Sequence, residues 1–451
     1  MIRIIFSLLI FSFSFFPALA SGQTTDELRD LIKQQAEKIK QLEERIKKLE
    51  DKSYFKRLPN DEKIVVLAPP QDKKTKIPKD EPKNKKSKKD KSPISLYGLT
   101  LHGRLQLDGA AFQASENKDG FKRDFNSDLA FRRVRLDVYG RLSDDLRYQV
   151  RLDFANPDKI IFDDSYIQYE GWKLAKITLG EQKVYSALDV TTGDHNVAFM
   201  ERASPTIAFI GGAGGKLGLS SFSNGKDWSV HLGIMTDSVN KRGTGRGGWG
   251  LNSRFSYSPV VGEHKILHVG ADFYYRIETD GLLRFSERPE MAVDNSRLAD
   301  TGPITARKYT VAGLEAAGIW GPFSIQSEYH RADVWGNAAQ RHQFWGAYVA
   351  ASYFLTGENI PFQSFRGGFG RPLPLNPLNE GGFGALQMTA RYSYLDLEDK
   401  GIGNRMKTYT LGLNWLLTSH SKLLFNYIHF DVDGGLEEKG NIFGMRMQAD
   451  W

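Results

Sequence analysis

The sequence predicts an all-β transmembrane barrel of about 16 antiparallel strands, preceded by an N-terminal α-helical coiled coil. Three observations carry this prediction. Residues 94–451 alternate apolar and polar side chains in one segment after another, the period of two that marks strands. Tight turns and long connections alternate along the same region, which is the two-rim pattern of an outer-membrane barrel. After the N-terminus no apolar run is long enough for a membrane helix, whereas a barrel dilutes its lipid-facing residues with lumen-facing ones.

Taken in order, residues 1–20 carry Arg3, an apolar run from Ile4 to Phe16 and Ala18-Leu19-Ala20. This is the pattern of a secretory signal peptide with a small-x-small cleavage site; the alternative is a short membrane anchor. Residues 21–52 form the coiled coil. Leu28, Ile32, Gln35, Ile39, Leu42, Ile46 and Leu49 step by four and three, with Ile at a and Leu at d. Lys38 and Arg45 at g lie five residues ahead of Glu43 and Glu50 at e, as parallel pairing between chains requires. The core pattern leans towards a dimer, while apolar Leu31 and Ala36 widen the seam towards a trimer. A single amphipathic helix is the alternative.

Residues 53–93 read as a Lys/Pro-rich periplasmic linker. Prolines block regular structure, and a run of lysines repels itself and extends the chain. It is either a solvated spacer or a contact with an anionic envelope polymer, peptidoglycan or lipopolysaccharide. Nucleic acid does not fit an exported chain. The net charge of +7 comes from this segment, because residues 94–451 hold 39 Lys+Arg against 40 Asp+Glu. With no cysteine, disulfide and thiolate chemistry are excluded.

Within the barrel region, residues 129–154 form a hairpin. Val134, Leu136 and Val138 share one face, opposite Arg133, Arg135 and Asp137. Beyond the turn Ser143-Asp144-Asp145, Tyr148, Val150 and Leu152 alternate with Arg147, Gln149 and Arg151. Alone, this hairpin would suit a soluble sandwich. The later strands decide for lipid: Tyr409, Leu411, Leu413 and Trp415 alternate with Thr408, Thr410, Gly412 and Asn414, and the last strand ends on the aromatic Trp451. Residues 114–128, 184–214, 237–248 and 277–306 are the long connections. Residues 356–382 break the pattern, because the strand count puts this long segment on the rim of tight turns.

Alternation puts Arg104, Arg133, Arg135, Arg147 and Arg151 on the lumen side of three consecutive strands. Only one of Arg132 and Arg133 faces inward unless a bulge intervenes, and Arg133 fits the alternation. A guanidinium presents a planar fork to an oxyanion and does not lose its proton. Each of these arginines could instead pair with Asp137, Asp153 or Asp164 and brace the wall. No metal-binding histidine spacing, P-loop or other cofactor motif is present, and nothing in the sequence points to an enzyme. Gly211-Gly212-Ala213-Gly214-Gly215 lacks the lysine and the following helix of a phosphate cradle.

The stretches GRLQ at 103–106, FRR at 131–133, FMER at 199–202, RFSERPE at 284–290, LTGE at 355–358, LGLNW at 411–415 and MRMQ at 445–448 occur in one order. In these the chain resembles the phosphate-selective porin O and P family of outer-membrane channels. The resemblance implies a sixteen-stranded barrel, a homotrimer, passive diffusion of small anions such as phosphate, and a long loop folded into the lumen at residues 184–214. It adds Arg132, Lys183, Arg202, Arg284 and Arg288 to the candidate anion-contacting set. GEQKVYSAL at 180–188 lacks the Lys-x-Pro-Phe stretch of many members. The alternative reading is an envelope-tethering protein with an unselective pore.

Overall fold

The computed structural model describes residues 97–114, 123–211, 215–241, 247–262, 264–279, 281–336, 340–435 and 437–451, together with residues 37 and 40, both helical. The expected signal peptide, linker and remaining coiled-coil positions lie outside the described residues. Sixteen strands build the barrel. In chain order they are β1 Tyr97–Ala114, β2 Asp128–Arg141, β3 Leu146–Asp153, β4 Ser165–Tyr169, β5 Lys176–Gln182, β6 Lys216–Asn224, β7 Trp228–Met235, β8 Gly248–Val261, β9 Lys265–Glu278, β10 Ile304–Trp320, β11 Phe323–Gly336, β12 Arg341–Phe354, β13 Ala385–Asp396, β14 Arg405–Leu416, β15 Ser421–Asp433 and β16 Glu438–Asp450.

Each strand pairs antiparallel with its neighbour in sequence, and β1 pairs with β16 from Arg104↔Asp450 to Ala114↔Gly440. The ring is therefore closed. Closure is what a sheet in hydrocarbon requires, since an unpaired backbone group there costs several kcal/mol. At the seam, Gly103 and Trp451 exchange backbone hydrogen bonds of 2.9 and 3.1 Å.

Burial is inverted relative to a water-soluble sandwich. In β14, Leu411 is 60% exposed while its neighbour Thr410 is 1% exposed. Outward aromatics gather near both rims, with Tyr329, Trp345 and Tyr394 at one end and Trp320, Phe323 and Trp415 towards the other. These are the girdles of a lipid-embedded barrel.

Two segments turn into the barrel from opposite rims. From the long-loop rim, residues 183–211 carry two short helices, α1 Leu188–Thr191 and α2 Ser204–Ile210. From the tight-turn rim, residues 355–384 contain a small hairpin in which Phe362–Gln363 pairs with Gly368–Phe369. The two segments meet: Phe369 packs in one apolar cluster with Leu188, and its N–H lies 3.4 Å from Thr192 Oγ1. Gly211, at φ 92°, is the C-cap of α2.

The inverted burial generates a test. Leu411→Arg places a charge in the apolar band and should destabilise the vesicle-embedded barrel by about 2–4 kcal/mol in urea unfolding. A neutral effect would put that face of β14 in water.

Candidate functional site

Parity along the paired strands brings three guanidiniums to one carboxylate. Arg104 in β1 lies opposite Arg135 in β2, and Gln106 lies opposite Arg133. Asp194, between α1 and α2, reaches all three arginines. Arg104 Nη1 is 2.5 Å from its Oδ1, Arg135 Nη1 is 2.5 Å from its Oδ2, and Arg133 Nε is 2.9 Å from Oδ2. Burial alone would raise the Asp194 carboxyl, but Arg135, Arg104 and Arg133 hold it well below the usual carboxylate range. The adjacent His195 is pushed down to about 3, chiefly by burial, so it is neutral at physiological pH.

A bulge intervenes, so the expectation that Arg133 alone faces inward does not hold. Gln106 pairs with Arg133 and Leu107 with Phe131, which leaves Arg132 as the extra residue. Both arginines consequently face inward. Arg132 grips Glu201 of the inserted segment through two bonds of 2.7 and 2.9 Å, and Arg446 in β16 reaches the same carboxylate at 2.8 Å. The Glu201 carboxyl, which burial would raise, is held well below its usual range by Arg132, Arg446 and Arg133.

Further bonds pin the same segment to β11 and β13–β15. The Asp189 N–H donates to Glu328 Oε1 at 2.6 Å, and the Met200 N–H donates to Asn426 Oδ1 at 2.8 Å. Asn414 Nδ2 donates to the Ala198 carbonyl at 2.7 Å, and Lys422 Nζ to that of Val197 at 3.2 Å. The Ser204 N–H donates to Glu290, whose carboxylate also takes Arg391 at 2.5 Å.

The remaining candidates fall into three groups. Arg151 pairs with Asp137 and with Asp164, and Arg135 pairs at 2.8 Å with both Asp153 and Asp163; these are braces between β2, β3 and the connection after β3. Arg202 is buried and donates to the carbonyls of Asp189 and Thr192, so it holds the inserted segment together. Arg284 and Arg288 sit in the long connection before β10, where Arg284 pairs with Asp300 and Arg288 donates to Asn295. Lys183 makes no side-chain hydrogen bond or ion pair among the described residues. Its pKa is lowered by burial, against the opposing pull of Asp164, Asp194 and Asp163.

Arg147 is different, because it opens onto space. A cavity of about 490 Å³ on the tight-turn side is lined by five guanidiniums, those of Arg104, Arg147, Arg151, Arg366 and Arg371. Among the described residues two side-chain carboxylates share it, Asp137 and Asp450. A second cavity of about 160 Å³ shares Arg147, Gln149 and Arg366 with the first and adds Lys176, Thr178 and Arg254. Arg366 and Arg371 belong to the segment 355–384 and were not among the sequence candidates. Arg371 pairs with Asp450. Arg366 is exposed, lies over the Phe365 ring at 5.4 Å and has no carboxylate partner among the described residues.

The acids of the opposite wall are covered. Asp272, Glu315 and Glu328 on β9–β11 are all buried. Glu315 is paired with Arg254 at 2.5 Å, and Arg254 also donates to the Gly367 carbonyl at 2.7 Å. The segment 355–384 thus docks on that wall through its backbone. A barrel of neutral total charge can expose cations and bury anions in this way.

The family model described as phosphate-selective porin O and P matches residues 99–451. An uncharacterized protein of Caulobacter vibrioides is 31% identical over 371 residues, covering 77% of this chain and 73% of that one. Porin O of Pseudomonas aeruginosa is 25% identical over 405 residues, covering 78% and 88%. Among solved structures, a loop-deletion mutant of OmpT, an outer membrane protein of Vibrio cholerae, matches 78% of this chain and 99% of its own with a TM-score of 0.50. At 12% identity that likeness is one of fold.

Asp194→Asn leaves three buried guanidiniums short of one charge. Breaking one side of a buried pair costs about 3–5 kcal/mol, so the variant should unfold at lower denaturant and show noisier, more anion-selective single-channel currents. Because the native pKa of Asp194 is depressed, its contribution is complete above the unfolded value near pH 4 and is lost only as pH falls through the lower folded value. The loss of stability in the variant should therefore be the same at pH 5 and pH 8; a loss that shrinks at pH 5 would contradict the assignment.

Proposed function

Because the chain belongs to the phosphate-selective porin O and P family, we propose that it is an outer-membrane porin through which small anions, phosphate among them, diffuse passively. The observation that carries the anion preference is the cavity on the tight-turn side, with five guanidiniums against two side-chain carboxylates. An oxyanion entering it meets planar donors that replace its water. Arg104, Arg151 and Arg371 are already engaged by Asp194, Asp137 and Asp450. Their electrostatic pull on a passing ion is moderated, which suits conduction better than one deep trap. Among the described residues Arg366 has no carboxylate partner, and Arg147 is held at 3.3 Å by Glu170.

In this reading the segment 183–211 narrows the lumen from the long-loop rim; Arg132 and Arg202 act on the path mainly by holding that segment in place, and Lys183 stands at its start as a cation facing Asp164, Asp194 and Asp163. Arg284 and Arg288 lie at the long-loop mouth, where they would gather anions before the narrow part. The segment 355–384 forms a second narrowing from the other rim and supplies Arg366. We place the protein in the membrane as a homotrimer, in keeping with its family.

The test is the reversal potential of the purified protein in a planar bilayer under a potassium chloride gradient. Wild type should be anion-selective, and phosphate should reduce the chloride current. A unit charge about 6 Å from the ion in watery surroundings is worth about 0.7 kcal/mol, roughly threefold in relative permeability. Arg147→Gln with Arg366→Gln should therefore lower the anion-to-cation permeability ratio at least ~3-fold. A cation-selective wild type, or a double variant with unchanged selectivity, would remove these residues from the mechanism.

A further inference from the structure

We propose that the outward face of β10–β12, at the long-loop rim, binds the phosphate groups of a phosphorylated glycolipid in the outer leaflet of the membrane. The site is a group of cations on the outside of the barrel, distinct from the lumen. Lys308 pairs in register with Trp335, and Trp335 with Arg341, so the three stand side by side on adjacent strands. Lys308 Nζ and the Arg341 guanidinium each lie 5.4 Å from the centre of the Trp335 ring, one from either neighbouring strand. Arg331 lies on the same face of β11, two steps before Asp333.

One carboxylate serves these cations. Asp333 takes Arg341 at 2.9 Å and Arg331 at 3.4 Å, while both guanidiniums remain about half exposed. Lys308 has no ion pair among the described residues. The group therefore keeps an excess of positive charge. The next strands do not: Arg405 and Lys407 share Asp433, Arg405 also meets Glu398, and Lys439 meets Asp431. The excess on β10–β12 does not continue onto β14–β16.

Height on the barrel selects the ligand. Directly nearer the membrane centre on the same face are Tyr329, Trp345 and Tyr394, with ring centroids 5.0–5.9 Å apart. Such aromatics sit at the boundary between hydrocarbon and headgroups. Lys308, Arg331 and Arg341 then fall in the headgroup layer of the leaflet facing the long loops, which in this kind of barrel is the outer one. Their charge excess would be neutralised there by lipid phosphate, and two of the three carry the guanidinium fork that a phosphate accepts in two bonds. The indole between them fixes the spacing of the cations and offers its edge to the glycolipid's apolar part.

The experiment uses full-length folded protein in detergent micelles, with binding of lipid A followed by native mass spectrometry. Phosphorylated lipid A should bind at least ~10-fold more tightly than the same lipid stripped of its phosphates, since each basic residue near an anionic lipid surface contributes about fivefold. Inorganic phosphate in millimolar excess should not displace the lipid. Lys308→Gln, Arg331→Gln and Arg341→Gln together should bring the affinity down to that of the stripped lipid and leave channel selectivity unchanged. Equal binding of the two lipids by wild type would overturn the proposal without recourse to any variant. So would displacement by inorganic phosphate, or undiminished binding by the folded triple variant.

Discussion

Backbone groups inside a bilayer have no water to turn to, and this one constraint organises the molecule. Every strand needs two partners, so the sheet closes through β1 and β16. Closure sends one side chain of every two outward into lipid and the other into an enclosed space. The enclosed side cannot all be apolar, because it is wet where ions are to pass. It cannot be left with bare charges either, since each arginine on the wall needs compensation. The solution here is compensation by inserted chain: Asp194 and Glu201 come from the segment between β5 and β6 and answer arginines on β1, β2 and β16.

The same arrangement resolves the charge balance. Counted along the chain, residues 94–451 are neutral, which would argue against selectivity if every charge faced the pore. The charges do not share one environment. Glu290, Glu315 and Glu328 are buried against inserted chain or neighbouring strands, whereas Arg147 and Arg366 open onto the cavity. Net charge is a property of composition; the charge a permeating ion meets is a property of which side chains are covered.

Much of the barrel was legible because its signal repeats. A period of two survives any detail of packing, so strands such as β14 and β16 read correctly within a few residues, and the inward parity of Arg104, Arg133 and Arg135 followed from it. The partners of those arginines were not legible. Asp137, Asp153 and Asp164 could be proposed because they lie on the same strands or just beyond them, but Asp194 lies in a connection with no period to orient it. The bulge at Arg132 depends on the register of β1, which the sequence of β2 does not contain. Arg366 is hidden in the sequence for the same reason as Asp194. Its signal was indirect: about thirty residues without a long strand on a rim of tight turns is too much chain for a connector, and Phe365-Arg366-Gly367-Gly368-Phe369 within it has the aromatics and glycines of a segment that packs.

Glu201 touches Arg132 on the second strand and Arg446 on the last, so the inserted segment spans the seam where the two ends of the sheet meet. Arg104 adds a link within the seam itself, to Asp450. A barrel assembling in the membrane has to join its first and last strands late, after both exist. Here that joining also completes the docking site for the segment from the middle of the chain. Closing the ring therefore completes the seat of Glu201, and a ring that parted at this seam would lose one of that carboxylate's two guanidiniums along with the β1–β16 ladder, while the bonds to β11 and β13–β15 would still hold the segment.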